Sequence, residues 1–135
     1  MYIQELKDEG INPEILNISL DTLSMLIDFI NSKGLSLCIP DACPGENDDF
    51  MYVWLDNKHY LECEIFTNKI VEFFYRDRIN NNVWGIDIYL SKDTKGNLVF
   101  TPVEEYDERD RYTNEELIEL LIERLKYFSV LYVKE

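Results

Sequence analysis

The sequence predicts an α+β protein in which a four- to five-stranded antiparallel meander packs one face against an N-terminal and a C-terminal helix. Three observations predict this class. Apolar residues recur at helical spacing near both ends of the 135-residue chain. In the middle of the chain they alternate with polar residues, as in half-buried strands, and turn residues separate the alternating runs. The length predicts a single domain, residues 1–135.

The first helix is predicted to begin at Ser19, a good capping residue, and to end at Gly34, which suits a left-handed terminus. Before it, Asn12-Pro13-Glu14 has the cap-then-proline order of another helix start, and residues 2–9 are typical of a short helical turn. After it, residues 35–39 are predicted to be extended and residues 40–45 to form a turn. The apolar stripe of this helix is Leu20, Leu23, Leu26, Ile27 and Ile30.

The middle of the chain is predicted to form β-hairpins, of which the first joins residues 50–56 to residues 59–66. A three-residue loop follows at Thr67 to Lys69, with Asn68 in the left-handed conformation. A two-residue loop would bring Glu72 into the apolar face, where an unpaired buried carboxylate costs several kcal/mol. The longer loop therefore gives one apolar face: Tyr52, Trp54, Leu61, Cys63, Ile65, Val71, Phe73 and Tyr75.

Two further strands are predicted at residues 83–90 and 98–100, the second at a sheet edge before Pro102. An exposed acidic linker is expected at residues 104–111. The closing helix then begins at Thr113, where Glu116 completes a capping box. The inward side chains of the strand at 83–90 are Trp84, Ile86, Ile88 and Leu90, and those of the helix are Leu117, Leu120, Leu121, Leu125 and Phe128.

The chain is strongly acidic, with 27 Asp and Glu against 13 Lys and Arg and a formal net charge of −14. The excess lies in two stretches. Residues 40–66 hold seven acids against Lys58, and residues 104–123 hold nine against Arg109 and Arg111. Such a field repels nucleic acid and anionic lipid heads and attracts basic surfaces, so neither direct nucleic-acid binding nor membrane binding is expected.

The second acidic stretch is the predicted partner-binding surface. Glutamates spaced by four line one side of the closing helix; the ordinary interpretation is a solvated helix face. The acidic run just upstream, with tyrosines embedded in it, favours an interface, because Tyr is common at protein interfaces. The predicted residues are Glu104, Glu105, Tyr106, Asp107, Glu108, Tyr112, Glu115, Glu119 and Glu123.

The same hairpin register that buries the aromatic residues creates a secondary acidic patch of Glu62, Glu64 and Glu72 on the other face. Glu64 and Glu72 are directly opposed, and opposed like charges on paired strands are unfavourable. The patch suits a divalent cation or a basic side chain, or else it is a solvated sheet surface.

Metal and catalytic motifs are weak. The cysteines at 38, 43 and 63 and His59 lack the close pairs of a zinc site, and buried cysteine is the commoner case. With one histidine, no nucleophile elbow and no phosphate-binding loop, neither a catalytic residue nor a metal or cofactor is predicted. The absence of a signal-peptide pattern, of an apolar run of about 18 residues and of secreted cysteine spacing predicts a cytoplasmic protein.

Residues 39–76 carry a resemblance. This stretch begins with a proline-flanked turn and an acidic loop. It continues with Tyr52-Val53-Trp54 and then Leu61-Glu62-Cys63-Glu64-Ile65. This order resembles a loose group of small, functionally unassigned bacterial α+β proteins, which pair a leading helix with a strand meander carrying a Trp and a Leu-Glu-x-Glu-Ile-like strand. The Asp-Gly-Gly usual in their acidic loop is replaced by Glu46-Asn47-Asp48-Asp49. The resemblance implies the fold and no activity.

The charge placement leads us to expect a non-catalytic acidic protein that docks on and inhibits a basic protein partner, as an antitoxin, immunity protein or nucleic-acid mimic does. One alternative is a divalent-metal hydrolase that uses the secondary patch with Asp41 or Asp49. Another is a structural subunit, such as a homodimer, that self-associates through an uncovered sheet edge or through the open face carrying Met51, Val53, Phe66 and Phe74.

Overall fold

The computed structural model describes residues 12–44, 49–103 and 112–131. These form an α+β fold with two helices and two antiparallel sheets. The elements, in chain order, are α1 (Pro13–Ser32), β1 (Leu35–Leu37), β2 (Asp41–Pro44), β3 (Phe50–Leu55), β4 (His59–Ile65), β5 (Ile70–Asp77), β6 (Val83–Lys92), β7 (Leu98–Pro102), α2 (Asn114–Lys126) and β8 (Ser129–Leu131). The helical turn expected at residues 2–9 and the linker at 104–111 lie outside the described residues.

Helix α1 begins at Pro13, so the helix start predicted at Asn12-Pro13-Glu14 is confirmed and the separate start predicted at Ser19 is wrong. The Asn12 side chain accepts a hydrogen bond from the Glu14 N–H at 2.9 Å, and proline occupies the first helical position, where no N–H is needed. Ser19 lies inside the helix and is fully buried. The predicted end is confirmed, because Gly34 follows the helix with a φ of +76°. No helix among the described residues is both long and apolar enough to span a membrane.

The large sheet has six strands in the order β2-β3-β4-β5-β6-β7, so the meander is confirmed but the predicted count of four to five strands is wrong. The extra strand is β2, at residues 41–44, where a turn was expected. Pro40 and Pro44 favoured a turn, but Pro44 is tolerated because β2 is an edge strand and needs hydrogen bonds on one side only.

The predicted register of the β4–β5 hairpin is confirmed: Ile65 pairs with Val71 and Glu64 with Glu72. The loop conformation differs from the prediction. Lys69, not Asn68, has the positive φ, at 70°. The Asn68 side chain instead accepts a hydrogen bond from the Ile70 N–H at 3.1 Å, which closes the turn locally.

Both helices pack on the same face of the large sheet, which we call the inner face. The Tyr52 hydroxyl on this face donates a hydrogen bond to the Ser19 carbonyl of α1 at 2.9 Å. From α2, the Arg124 guanidinium lies over the rings of Tyr75 and Trp84. All the predicted inner-face residues of β3, β4 and β5 are buried: Tyr52, Trp54, Leu61, Cys63, Ile65, Val71, Phe73 and Tyr75.

The capping box of α2 is confirmed. The Thr113 hydroxyl accepts from the Glu116 N–H at 3.2 Å, and the Glu116 carboxylate accepts from the Thr113 N–H at 3.1 Å. After α2, strand β8 pairs with β1 in a separate two-stranded sheet, with Leu35 opposite Leu131. This pairing joins the two chain segments that follow the helices.

Candidate binding surfaces

The other face of the large sheet, the outer face, carries no buried side chain among the described residues of its strands. Each strand alternates, so burying Phe73 and Val71 under the helices turns Glu72 and Phe74 outward. By the alternation of the chain, the four residues expected on an open face all lie on the outer face. They are half-buried: Met51, Val53, Phe66 and Phe74. The outer face is therefore a mixed acidic and apolar surface.

A row of three carboxylates crosses the outer face on neighbouring strands. Glu64 of β4 is paired with Glu72 of β5, and Glu72 is paired with Asp87 of β6. Neighbouring strands lie about 5 Å apart, so each acid has a like charge directly beside it. The row contains two of the three residues of the predicted patch; the third, Glu62, lies one row away, opposite Phe74.

The pKa of Glu72 is raised above its ordinary value. Burial is the largest cause, followed by the charge of Asp87, a hydrogen bond to the Asp87 carboxyl, and the charge of Glu62. Repulsion among the carboxylates of the row therefore destabilises the folded state. A cation placed against Glu72 and Asp87 would relieve that repulsion.

Asp87 is the member of this row that we did not predict from the sequence. Residues 67–103 are nearly balanced in charge, so the charge distribution does not single out Asp87. The signal was present in the alternation of β6: the expected burial of Ile86 and Ile88 places Asp87 on the opposite face. The β5–β6 register then brings it to Glu72.

Aromatic side chains lie beside the carboxylate row. The Tyr60 hydroxyl donates to the Glu62 carboxylate at 3.2 Å, and the Tyr60 ring meets the Phe74 ring edge-on at 6.3 Å between centroids. The Arg76 guanidinium lies 5.8 Å from the Phe74 ring centroid. Gly85 is paired with Phe74 on the next strand and adds no side chain beside that ring.

The described part of the predicted partner-binding surface lies on α2. Glu115, Glu119 and Glu123 are exposed, and Tyr112 is 44% exposed. Within the described ranges, Glu115 and Glu119 form no ion pair, and Glu123 contacts Arg124 at only 3.9 Å. Five further predicted residues lie outside the described residues: Glu104, Glu105, Tyr106, Asp107 and Glu108.

An aromatic cluster that was not predicted lies where the end of α2 meets the inner face. The His59 ring stacks on Tyr127 at 3.7 Å, and the His59 Nδ1 is 2.7 Å from the Tyr75 hydroxyl. Arg124 lies 4.5 Å from the Trp84 ring centroid, and burial lowers the pKa of its guanidinium. The cluster joins residues that are far apart in the chain, such as His59 and Tyr127, so no local sequence pattern predicts it.

The thiols and His59 are dispersed. Cys63 is fully buried on the inner face, Cys43 lies on the outer face, and Cys38 is exposed beyond β1. Burial is the largest cause of the raised pKa of the Cys43 thiol, and nearby acids raise it further, so the thiolate is disfavoured. Among the described residues no three His, Cys, Asp or Glu side chains are arranged to hold a metal ion, including Asp41 and Asp49 with the secondary patch.

Comparisons of the chain with protein-family models, with curated proteins and with solved structures find no match. The resemblance to the group of small bacterial proteins therefore stays a prediction. The surfaces themselves carry the functional argument.

Proposed function

We propose that this protein is a non-catalytic acidic binding protein that docks on a basic protein partner and inhibits it, in the manner of an antitoxin, an immunity protein or a nucleic-acid mimic. The observation that carries the proposal is the row of directly opposed carboxylates on the outer face, Glu64, Glu72 and Asp87. A solvated face has no need to place three acids at facing positions, where each pair is unfavourable by about 0.2–1 kcal/mol.

The outer face suits arginine in particular. A guanidinium is planar and forms paired hydrogen bonds with carboxylates, which Glu72 and Asp87 offer on adjacent strands. The rings of Tyr60 and Phe74 supply the flat surface on which a guanidinium or its alkyl stem packs. Aromatic residues surrounded by charges are also the usual energetic centres of protein interfaces.

The acidic face of α2 extends the proposal. Residues four apart on a helix are separated by about 6 Å along the axis, so Glu115, Glu119 and Glu123 form a regularly spaced negative track that imitates a phosphate backbone. Tyr112 and the upstream run Glu104 to Glu108 belong to this proposed surface as well. A net charge of −14 would accelerate encounter with a Lys- and Arg-lined groove.

The first experiment identifies the partner and tests its charge. The protein is used as bait in a pull-down from the native cell, or from the host if this is a phage protein, and the captured partner is purified. Binding kinetics are then measured at low and high salt. We expect a basic partner whose affinity falls steeply with salt, chiefly through a slower on-rate. An acidic partner, or affinity independent of salt, would contradict the proposal.

The second experiment assigns the face. Two variants of similar design are compared with the wild type: Glu72→Gln with Asp87→Asn on the sheet, and Glu115, Glu119 and Glu123→Gln on α2. Each removes charge while keeping side-chain shape, and neither touches the core. We expect at least one variant to bind about tenfold more weakly, which corresponds to the loss of roughly 1.4 kcal/mol. If both bind as well as the wild type, the charge serves solubility only.

A further inference from the structure

A mostly apolar row of side chains crosses the outer face at the end where the β3–β4 turn lies. Leu55 of β3 is paired with Tyr60 of β4, Tyr60 with Arg76 of β5, and Arg76 with Val83 of β6. Ile39 lies two residues before β2 and stands beside Leu55 when the β2–β3 register is continued. We call these five residues the end row.

The apolar side chains of the end row are more exposed than those at the centre of the outer face. Ile39 is 76% exposed, Val83 60% and Leu55 57%. Val53 and Phe74, nearer the centre, are half-buried. One exposed apolar side chain is ordinary, but several in one row of a chain with a net charge of −14 indicate an interaction surface.

Negative charge increases along the strands away from the end row. Arg76 is the only charged member of the end row, and the next row inward holds Asp41 of β2 and Glu62 of β4. The carboxylate row follows. It lies about 13 Å from the end row, because four residues separate Tyr60 from Glu64 along β4. The outer face is therefore apolar at one end and negative further along.

We propose that the outer face receives a basic amphipathic helix of the partner, with its apolar side chains on the end row and its Arg or Lys side chains on the carboxylate row. This docking, which rests on the proposed function, commits the partner to one kind of segment. Helices cover sheet faces, as they cover the inner face here, whereas extended segments pair with sheet edges. A second copy would bring its own net charge of −14 to this acidic face, so the charge favours a basic occupant.

The spacing of the two rows fits a helix. Helix positions seven residues apart lie on the same side and about 10.5 Å apart, and the long stem of an arginine spans the rest of the distance. Between the rows, Gly85 is paired with Phe74 and adds no side chain, which lets a helix approach closely. Arg76 fixes the direction of docking, because it repels a basic residue placed on the end row.

The test uses two synthetic peptides of about 18 residues, long enough for five helical turns, and the full-length protein. In the first peptide, leucines and then arginines seven positions later share one side of the helix. The second has the same composition in scrambled order, so no side is apolar or basic. Calorimetry should show the first peptide binding at least about tenfold more tightly than the second. Amide chemical shifts should change at Leu55, Tyr60 and Phe74.

A double variant, Ile39→Thr with Leu55→Thr, should weaken binding of the first peptide about tenfold, because it removes exposed apolar contacts and leaves the core intact. Val130→Thr is the matched control and should bind like the wild type, since Val130 is 60% exposed but lies on the small sheet. Equal binding of the two peptides, undiminished binding by the double variant, or shifts confined to α2 would overturn the inference. The proposed function fails differently, through an acidic native partner or an affinity independent of salt.

Discussion

The carboxylate row predicts that removing one of its charges stabilises the fold. In Glu72→Gln the like charge opposite Glu64 and Asp87 is lost, and an amide, unlike a carboxylate, can donate a hydrogen bond to a neighbouring carboxylate. Each opposed pair costs about 0.2–1 kcal/mol, and because Glu72 is only half-buried, solvent and salt reduce that figure. We expect a gain of about 0.5–1 kcal/mol at neutral pH, or a rise in Tm of about 2–4 °C.

The pH dependence of this gain follows from the raised pKa of Glu72. The folded state binds the proton more tightly than the unfolded state, so the unfavourable contribution is present in full above the folded pKa and disappears as the pH falls below the unfolded value. The advantage of Glu72→Gln over the wild type should therefore be largest at neutral pH and should vanish at about pH 4, near the ordinary pKa of glutamate.

Urea denaturation of wild type, Glu72→Gln and the control Asp21→Asn measures both effects. Asp21 is exposed on α1, so the control changes the net charge equally without removing an opposed strand pair. The gain from Glu72→Gln should also shrink at high salt. A Glu72→Gln variant that is less stable than the wild type at neutral pH, or a gain equal to that of Asp21→Asn, would refute the repulsion that we infer across the row.

Three further substitutions test the packing and the caps. Phe73→Ala should lower the free energy of unfolding by about 3–5 kcal/mol, because the ring is fully buried beneath the helices; equilibrium denaturation will measure this. Tyr52→Phe should cost about 1 kcal/mol through loss of the hydrogen bond to the Ser19 carbonyl, and an unchanged unfolding midpoint would contradict that contact. Thr113→Ala should cost about 1 kcal/mol by breaking the capping box with Glu116, seen as a lower Tm and faster amide exchange in the first turn of α2.

The features that the sequence predicted correctly are those set by the spacing of residues along the chain and by the cost of burying a charged side chain. Excluding Glu72 from the apolar face was enough to select the β4–β5 register, because a one-residue slip reverses the face of every side chain. The capping box at Thr113 was predictable because its partners are three residues apart.

The errors share a different cause. Ser19 is a good cap in isolation, but Asn12 followed by proline starts the helix earlier, and continuous packing against the sheet carries it through Ser19. Strand β2 was missed because its pairing with β3 depends on a neighbour and not on its own turn-like residues. The contacts of His59 with Tyr127 could not be predicted for the same reason, since they join distant parts of the chain.

The pairing of β1 with β8 has a consequence for the order of folding. Closing a loop between Leu35 and Leu131 costs about 4 kcal/mol of chain entropy by the logarithmic rule, against about 1 kcal/mol for a short hairpin loop. The hairpins of the meander can therefore assemble first, and each one shortens the path between the remaining ends. The small sheet then closes last, and with three residue pairs it is the described part of the fold that we expect to open first.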